Sequence, residues 1–321
     1  MQGPILVLGL SPGLQKTISF DAFVPGRVNR ARSSREDASG KCTNVARVLT
    51  QLEAGSARLV CPLGRDNEMR FRALLEADSV PLHAVEIPGA TRWCWTLLDD
   101  RALFGEEQDF KADAKRPPRM TELVVDEPAP HTSSLEAAAQ RMSSYLEQEL
   151  SRDEGRPAAL VIAGSRPAGW PVTLYPAIVA LARKHGVPVL VDYRGEDLLT
   201  TLALAAPDIV KINEDEFRES FACDDQSEQA LVAALSRESS LYHITMVVTR
   251  GPKAVLAAAA GIPVQCDVEG LDASNEIGSG DAFDAGFIFT WTRGGSLAAC
   301  LEKGIECARQ NALTLRPGSL R

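Results

Sequence analysis

Short apolar segments alternate with helix-forming segments through residues 160–259, and no other pattern in this chain limits its possible folds as strongly. Residues 160–163, 189–192, 209–212 and 244–249 are predicted strands, because each is a brief run rich in valine, leucine or isoleucine. The helices predicted between them cover residues 174–185, 197–204, 214–221 and 228–237. Strands that alternate with helices form right-handed βαβ units, which build a parallel sheet with helices on both faces. The sequence therefore predicts an α/β fold.

Polar or glycine-rich clusters follow the predicted strands. In a parallel sheet these positions share one edge, and ligands bind beyond the carboxyl ends of the strands. The clusters are Gly164-Ser165, Asp192, Lys211-Ile212-Asn213, Thr249-Arg250-Gly251 and Gly278 to Asp281. Their convergence predicts one functional site at that edge.

Composition and charge exclude several classes of protein. The net charge of -9 argues against a nucleic-acid-binding surface, and no apolar run reaches the length of a membrane span. Residues 4–10 form an apolar strand without a preceding basic segment, so no signal peptide is predicted. The cysteines number seven and form no closely spaced pair, which favours free thiols in a reducing cytoplasm.

A tight turn is predicted at Gly278-Ser279-Gly280. It leads into a predicted helix, because residues 282–291 are apolar and rich in helix formers. A helix start presents unpaired backbone N–H groups and a partial positive charge, and glycine lets a phosphate approach closely. Asp281 would lie in the first turn, where a carboxylate can take a proton from a hydroxyl beside the anion hole. The alternative is a capped helix after a turn, without catalysis. The chain contains neither a P-loop motif nor a dinucleotide-binding glycine motif.

From Leu8 to Gly318 the chain resembles the ribokinase-like (PfkB-type) carbohydrate kinases, and most of all the 1-phosphofructokinases and tagatose-6-phosphate kinases. The motifs that carry the resemblance are Pro25-Gly26-Arg27-Val28-Asn29-Arg30-Ala31, Gly40-Lys41, Asn44-Val45-Ala46-Arg47, Gly64-Arg65-Asp66-Asn67, Thr91-Arg92, Thr121-Glu122-Leu123, Gly164-Ser165-Arg166-Pro167, Lys211-Ile212-Asn213 with Glu216, and Gly278-Ser279-Gly280-Asp281. The resemblance implies an enzyme that transfers a phosphoryl group from ATP, with Mg2+, to a phosphorylated ketohexose of the fructose 1-phosphate or tagatose 6-phosphate type.

The resemblance also implies roles for particular residues. Asp281 is the expected general base, with the backbone of Gly278, Ser279 and Gly280 as the anion hole. The expected ATP-binding residues are Lys211, Asn213, Glu216, Thr249, Gly251 and Asn311, of which Glu216 holds Mg2+ through water and Asn311 flanks adenine. The expected substrate-binding residues are Gln15, Gly40, Lys41, Asn44, Arg92 and Ser165. For Asn213 a second role is open, because it can cap the following helix with Glu216 as its capping-box partner. Arg92 has the alternative of an exposed cation on a strand.

Two departures from the family pattern concern the acceptor. The usual Asn-Pro-Ala-Leu-Asp is here Ser11-Pro12-Gly13-Leu14-Gln15, and the usual Gly-Gly-Lys-Gly is here Ser39-Gly40-Lys41-Cys42. Gln15 can donate hydrogen bonds, whereas a carboxylate only accepts them. These changes leave the phosphoryl-transfer residues intact, but they leave the identity of the substrate undecided. The alternatives are a kinase of another small sugar or polyol, or a catalytically weak sugar-phosphate-binding protein on the same scaffold.

The expected architecture is a single ribokinase-like domain over residues 1–321: a three-layer α/β/α arrangement with a mostly parallel central sheet and a small β-sheet lid. The lid is expected from residues 16–37 and 92–125, which lie outside the βα rhythm, with a loose loop at 112–119. Trp93 and Trp95 share one face of the predicted strand 92–99, which favours a homodimer through the lid.

Overall fold

The computed structural model describes residues 3–99, 120–125, 127–269 and 277–321. Its strands are β1 (Ile5–Leu8), β2 (Gly13–Phe20), β3 (Ser33–Ser39), β4 (Ala57–Gly64), β5 (Leu82–Ile87), β6 (Trp93–Asp99), β7 (Met120–Val125), β8 (Ala159–Ala163), β9 (Val189–Asp192), β10 (Ile209–Asn213), β11 (Thr245–Thr249), β12 (Val255–Ala259) and β13 (Ile262–Cys266). Its helices are α1 (Lys41–Leu52), α2 (Glu68–Glu76), α3 (Thr132–Leu150), α4 (Leu174–Lys184), α5 (Gly195–Leu204), α6 (Glu214–Ser220), α7 (Glu228–Tyr242), α8 (Ser279–Thr292) and α9 (Leu297–Ala312).

The central sheet has the strand order β13-β12-β11-β10-β9-β8-β1-β4-β5 within the described residues. Its pairs are parallel from β11 to β5, and β12 and β13 extend it as an antiparallel edge. A parallel sheet needs helical cover on both faces, since both are apolar. The predicted mostly parallel α/β fold is confirmed.

Alternation along β1 shows how the sheet separates two helical layers. Leu6 and Leu8 pack into a core with helices α3 to α7, while Ile5 and Val7 pack into a second core with α1, α2, α8 and α9. Successive side chains of a strand point to opposite faces, so one short strand contributes to both cores. The result is three layers, α/β/α. No helix among the described residues is long and apolar enough to cross a membrane.

A second sheet, called here the small sheet, has the order β3-β2-β6-β7. Strands β2 and β6 run parallel, and β3 and β7 pair antiparallel at the two edges. The chain enters it directly after β1 and leaves β3 through Ser39 and Gly40 into α1. The small sheet therefore adjoins the carboxyl edge of the central sheet.

Several elements differ from the sequence-based expectation. Helix α3 and strand β5 were not predicted, although the buried residues of α3, among them Leu135, Ala139, Met142 and Leu146, recur every three or four positions. The expected lid segment 16–37 is not strand throughout, because residues 21–32 form a mostly exposed loop and β3 begins at Ser33. The loop predicted at 112–119 lies outside the described residues.

Candidate active site

Helix α8 begins at a glycine that the local packing requires. Gly278 has a φ of 80°, in the left-handed region that favours glycine. A β-carbon there would also lie 2.6 Å from the backbone nitrogen of Gly318. The chain therefore turns sharply and presents the first backbone N–H groups of α8, which have no partner within the helix. The predicted turn into a helix is observed.

Asp281 occupies the first turn of α8 and is buried. The Asn44 Nδ2 atom of α1 donates a hydrogen bond of 2.7 Å to Asp281 Oδ2. Burial raises the pKa of the Asp281 carboxyl group, and the Lys41 ammonium group opposes this effect. A carboxylate with a raised pKa is a stronger base than an ordinary aspartate, which suits proton abstraction.

Two lysines meet at one buried aspartate beneath the turn. Lys41 Nζ donates to both oxygens of Asp192 at 3.0 and 3.1 Å, and Lys211 Nζ lies 3.5 Å from Asp192 Oδ2. Lys211 also donates to the Gly280 carbonyl at 3.2 Å and lies 3.5 Å from Asp284 Oδ1. Burial alone would raise the pKa of Asp192, but Lys211 and Lys41 hold it below its ordinary value. The sequence analysis placed Asp192 at the predicted site edge without assigning it a specific role, and it did not single out Asp284.

The amide of Asn44 is oriented by a buried arginine of the same helix. Arg47 Nη1 donates to Asn44 Oδ1 at 3.1 Å, which turns the Asn44 amino group towards Asp281. Arg47 is only 1% exposed, so each of its donors needs a partner. Its Nε atom donates to Asp78 at 2.8 Å. Nη1 also reaches the Pro317 carbonyl at 3.0 Å, and Nη2 donates to the Ala38 carbonyl.

Arg316 extends this buried network to the small sheet. Its Nη1 atom lies 2.6 Å from Asp78 Oδ1, and its Nε atom lies 2.8 Å from Oδ1 of Asp37 on β3. Asn44, Arg47, Asp78, Arg316 and Asp37 thus form a continuous chain of polar contacts from the Asp281 carboxylate to the small sheet. Asn44 and Arg47 belong to one sequence motif, but the motif did not predict the network, because Asp78 and Arg316 come from distant segments.

Asn311 fastens the turn before α8. Its Nδ2 atom donates to the Ile277 carbonyl at 2.8 Å and to Ser279 Oγ at 3.2 Å. Its Oδ1 atom accepts from the backbone N–H of Ser319 at 3.1 Å. Sequence reasoning expected this residue beside adenine. The structure places its polar atoms on the turn itself.

The nucleotide residues expected from the sequence lie on the same edge. Asn213 and Glu216 form a capping box at the start of α6, with reciprocal hydrogen bonds of 2.9 and 3.0 Å, so the capping prediction is confirmed. Thr249 and Gly251 line a cavity of about 470 Å³ that extends to Ser279 and Gly280. Its apolar walls include Val255, Phe283, Ile305, Ala308 and Ala312. Such walls fit a flat aromatic base.

The expected acceptor residues fall into two groups. Gly40, Lys41 and Asn44 lie at the start of α1, and a β-carbon on Gly40 would lie 2.7 Å from the Ser11 carbonyl. Arg92 and Ser165 line a second cavity, also of about 470 Å³, together with Ser11. Because Gly164 approaches Lys41, this cavity adjoins the start of α1.

The two departures near the acceptor site contact each other. Ser39 Oγ donates to Gln15 Oε1 at 3.1 Å, and Gln15 Nε2 donates to Thr96 Oγ1. All three side chains are buried. The Gln15 amide is therefore tied into the small sheet.

A model of the pfkB family of carbohydrate kinases matches residues 111–318 of this chain. The 1-phosphofructokinase of Rhodobacter capsulatus is 31% identical over 304 residues, which cover 92% of this chain and 85% of that protein. The 1-phosphofructokinase of Xanthomonas campestris is 28% identical over 285 residues, with 88% and 82% covered. The solved structure of phosphofructokinase-2 from Escherichia coli in complex with fructose-6-phosphate has a TM-score of 0.81 at 21% identity, and covers 99% of this chain and 96% of its own.

Proposed function

The chain belongs to the pfkB family of carbohydrate kinases, and we propose that it transfers the terminal phosphoryl group of ATP to a hydroxyl group of a phosphorylated ketohexose. The acceptor class is that of fructose 1-phosphate or tagatose 6-phosphate. The observation that carries the proposal is the buried Asp281 carboxylate at the start of α8, with Asn44 and Lys41 beside it. An anion hole, a base and two nearby cations are the groups that phosphoryl transfer requires.

In the proposed mechanism, Asp281 takes the proton from the acceptor hydroxyl while that oxygen attacks the phosphorus atom. Asn44 holds the carboxylate in position through its 2.7 Å hydrogen bond. The backbone N–H groups at the start of α8 and the Lys41 ammonium group stabilise the negative charge on the transferring group. Lys211 supports the turn from its buried side through the Gly280 carbonyl.

ATP fits the cavity beside the turn, with its base against Phe283, Ile305 and Ala308 and its phosphates towards Ser279 and Gly280. No cluster of three metal-ligating side chains occurs in the parts of the chain that the structure describes. Mg2+ would be held through water by Asn213 and Glu216, because this ion needs few carboxylates and keeps several waters. When bound, it neutralises phosphate charge.

The acceptor phosphate is assigned to Arg92 and Ser165, in the cavity next to Lys41. The two relatives named 1-phosphofructokinase support a phosphorylated ketohexose. We further propose that the small sheet covers this site as a lid, because β2 begins directly after the Ser11 segment and β3 ends directly before Gly40.

The test is a series of kcat/KM values on fructose 1-phosphate, fructose 6-phosphate, tagatose 6-phosphate and unphosphorylated fructose, for wild type and Arg92→Met. We expect a phosphorylated ketohexose to be the best acceptor. Arg92→Met should lower its kcat/KM by about ten- to a hundredfold, since a charge-assisted hydrogen bond is lost.

Unphosphorylated fructose is the internal control, because it makes no phosphate contact and should be affected little by Arg92→Met. A best acceptor without a phosphate would contradict the assignment and favour a kinase of another sugar or polyol. Thermal stabilisation by a sugar phosphate without turnover would favour the binding protein instead.

A homodimer through the small sheet is proposed from one exposed apolar face. Trp95 is 42% exposed, and Leu123 and Val125 are 44% and 49% exposed. Register places Trp95 opposite Leu123 and Trp93 opposite Val125, so the four side chains share a face. A contiguous apolar patch on a sheet is typical of an association surface.

Trp95→Glu together with Leu123→Glu should convert a dimer to a monomer, as measured by light scattering at micromolar concentration, since charge would be buried in the interface. Val172→Glu is the matched control, because Val172 is an exposed apolar residue that lies outside the small sheet. A monomeric wild type would refute the proposed dimer.

A further inference from the structure

Asp284 lies on α8 beneath the proposed phosphoryl-transfer site, and its environment is unusual for a carboxylate. It is 0% exposed. Neither oxygen receives a hydrogen bond from an N–H or hydroxyl group of the described residues. Its cationic neighbour, Lys211 Nζ, is 3.5 Å away, beyond a good hydrogen bond. An ionised carboxylate buried in this way would be poorly compensated.

Asp284 shares its cationic neighbour with another carboxyl group, because Asp192 Oδ2 on β9 and Asp284 Oδ1 each lie 3.5 Å from Lys211 Nζ. The electrostatics of both residues include a hydrogen-bond interaction between the two carboxyl groups. Two carboxyl groups in hydrogen-bond contact need a proton between them, because two carboxylates offer only acceptors. The proton also balances the charge of the buried cluster. Lys41 and Lys211 supply two positive charges, and of the three aspartates that face them, Asp192, Asp281 and Asp284, only two can be ionised in a neutral cluster.

The proton belongs on Asp284 because the two lysines favour ionised Asp192. Both oxygens of Asp192 accept hydrogen bonds from Lys41, and Lys211 lies 3.5 Å from one of them. Asp284 has one ion contact and no other polar donor among the described residues. The electrostatics agree: burial raises the pKa of Asp284 well above its ordinary value, while the lysines keep the pKa of Asp192 low despite burial.

We propose that Asp284 is a positioning residue whose protonated carboxyl group donates a hydrogen bond to Asp192. Asp192 in turn holds Lys41 at the start of α1 and Lys211 beneath the Gly280 carbonyl. The kinetic part of this inference rests on the proposed kinase function, whereas the proton itself does not.

The proton can be tested without any activity measurement. If Asp284 is neutral when folded and ionised when unfolded, the folded state binds one more proton, so stability decreases as pH rises above the ordinary range for aspartate. Asp284→Asn keeps a donor for Asp192 and removes this dependence. The Tm of Asp284→Asn minus that of wild type should therefore become more positive between about pH 5 and about pH 8.

The groups that face Asp284 are Asp192 from β9, Lys211 from β10 and Asp281 from its own helix, with Lys41 of α1 behind Asp192. All are present in both proteins, so the difference in Tm isolates position 284. A difference that stays constant or becomes more negative with rising pH would mean an ionised Asp284 and would overturn the proposal.

Kinetics test the positioning role. Asp284→Asn should lower kcat by only about threefold, because the hydrogen bond to Asp192 survives. Asp284→Leu has a similar size without a donor and should lower kcat by about tenfold or more. Asp192→Asn should lower it by about a hundredfold, since both lysines lose their counterion.

Equal losses for the Asn and Leu variants, or a loss for Asp284→Asn as large as for Asp192→Asn, would overturn the positioning role. If the wild-type protein turns over no sugar phosphate, the proposed function fails. The Tm series still decides whether Asp284 carries a proton in the folded protein.

Discussion

Asp281→Asn is expected to lower kcat by about 10²–10⁴-fold while leaving ATP affinity nearly unchanged. Asparagine has the size of aspartate, and its carbonyl oxygen can still accept the hydrogen bond from Asn44. It cannot take a proton from the acceptor hydroxyl. The variant therefore removes the proposed base and retains the turn of Gly278, Ser279 and Gly280, which is proposed to hold the phosphates.

The measurement compares kcat on the best sugar phosphate with ATP affinity from equilibrium titration. Asp153→Asn is the control and should behave as wild type, because Asp153 is an exposed carboxylate in the loop between α3 and β8. Retention of more than about a tenth of wild-type kcat would exclude Asp281 as the base.

The pH dependence of kcat/KM provides a second test of the role of Asp281. Burial raises the pKa of Asp281. As the pH falls, wild-type kcat/KM should therefore begin to decrease at a pH above the ordinary pKa range of aspartate. Below that pKa the base is protonated and cannot accept the substrate proton. The acid limb should be absent from the residual activity of Asp281→Asn.

Arg47→Met is expected to lower the free energy of unfolding by about 3–5 kcal/mol, the cost of removing one partner from a buried ion network. Methionine can occupy much of the space but offers no donors. Among the described residues Asp78 would keep the cation of Arg316 but lose that of Arg47, and the carbonyls of Ala38 and Pro317 would lose a buried donor. The Asn44 amide would also lose the contact that sets its orientation.

Urea unfolding measures this loss. Arg293→Met is the matched control, because Arg293 pairs with Glu53 at the surface and such pairs contribute about 0.2–1 kcal/mol. In the folded Arg47→Met protein, kcat should decrease more than the KM for ATP changes, because the contact of Asn44 with the base is affected. A destabilisation no larger than that of Arg293→Met would contradict the structural role of the network.

Local patterns predicted the parts of this molecule that depend on neighbouring residues. The strands and helices of residues 160–249 follow from short-range periodicity, and the capping box of Asn213 and Glu216 needs only a three-residue spacing. The turn before α8 is equally local. These features required no knowledge of distant contacts.

Contacts between distant segments could not be predicted from local sequence patterns. Arg47 sits among apolar residues of α1 in the sequence, and nothing there indicates that Asp78 and Arg316 complete its hydrogen bonds. Asp284 likewise becomes informative only when the sheet brings Asp192 against it. Asn311, expected beside adenine, also holds the turn, because residue 319 returns to it, and this contact could not be read from the sequence.

The packing of Pro317, Gly318 and Ser319 against the turn and α1 has a consequence for biosynthesis. Arg47 and the Pro317 carbonyl are 270 residues apart, and Gly318 approaches the backbone of both Asn44 and Gly278. A nascent chain can form the central sheet, and even α8, before residues 317–319 have left the ribosome. Asp281, the proposed base, cannot acquire its final surroundings until these residues have emerged. A molecule that folds during its synthesis would therefore pass through an interval in which the central sheet is formed and the surroundings of Asp281 are incomplete.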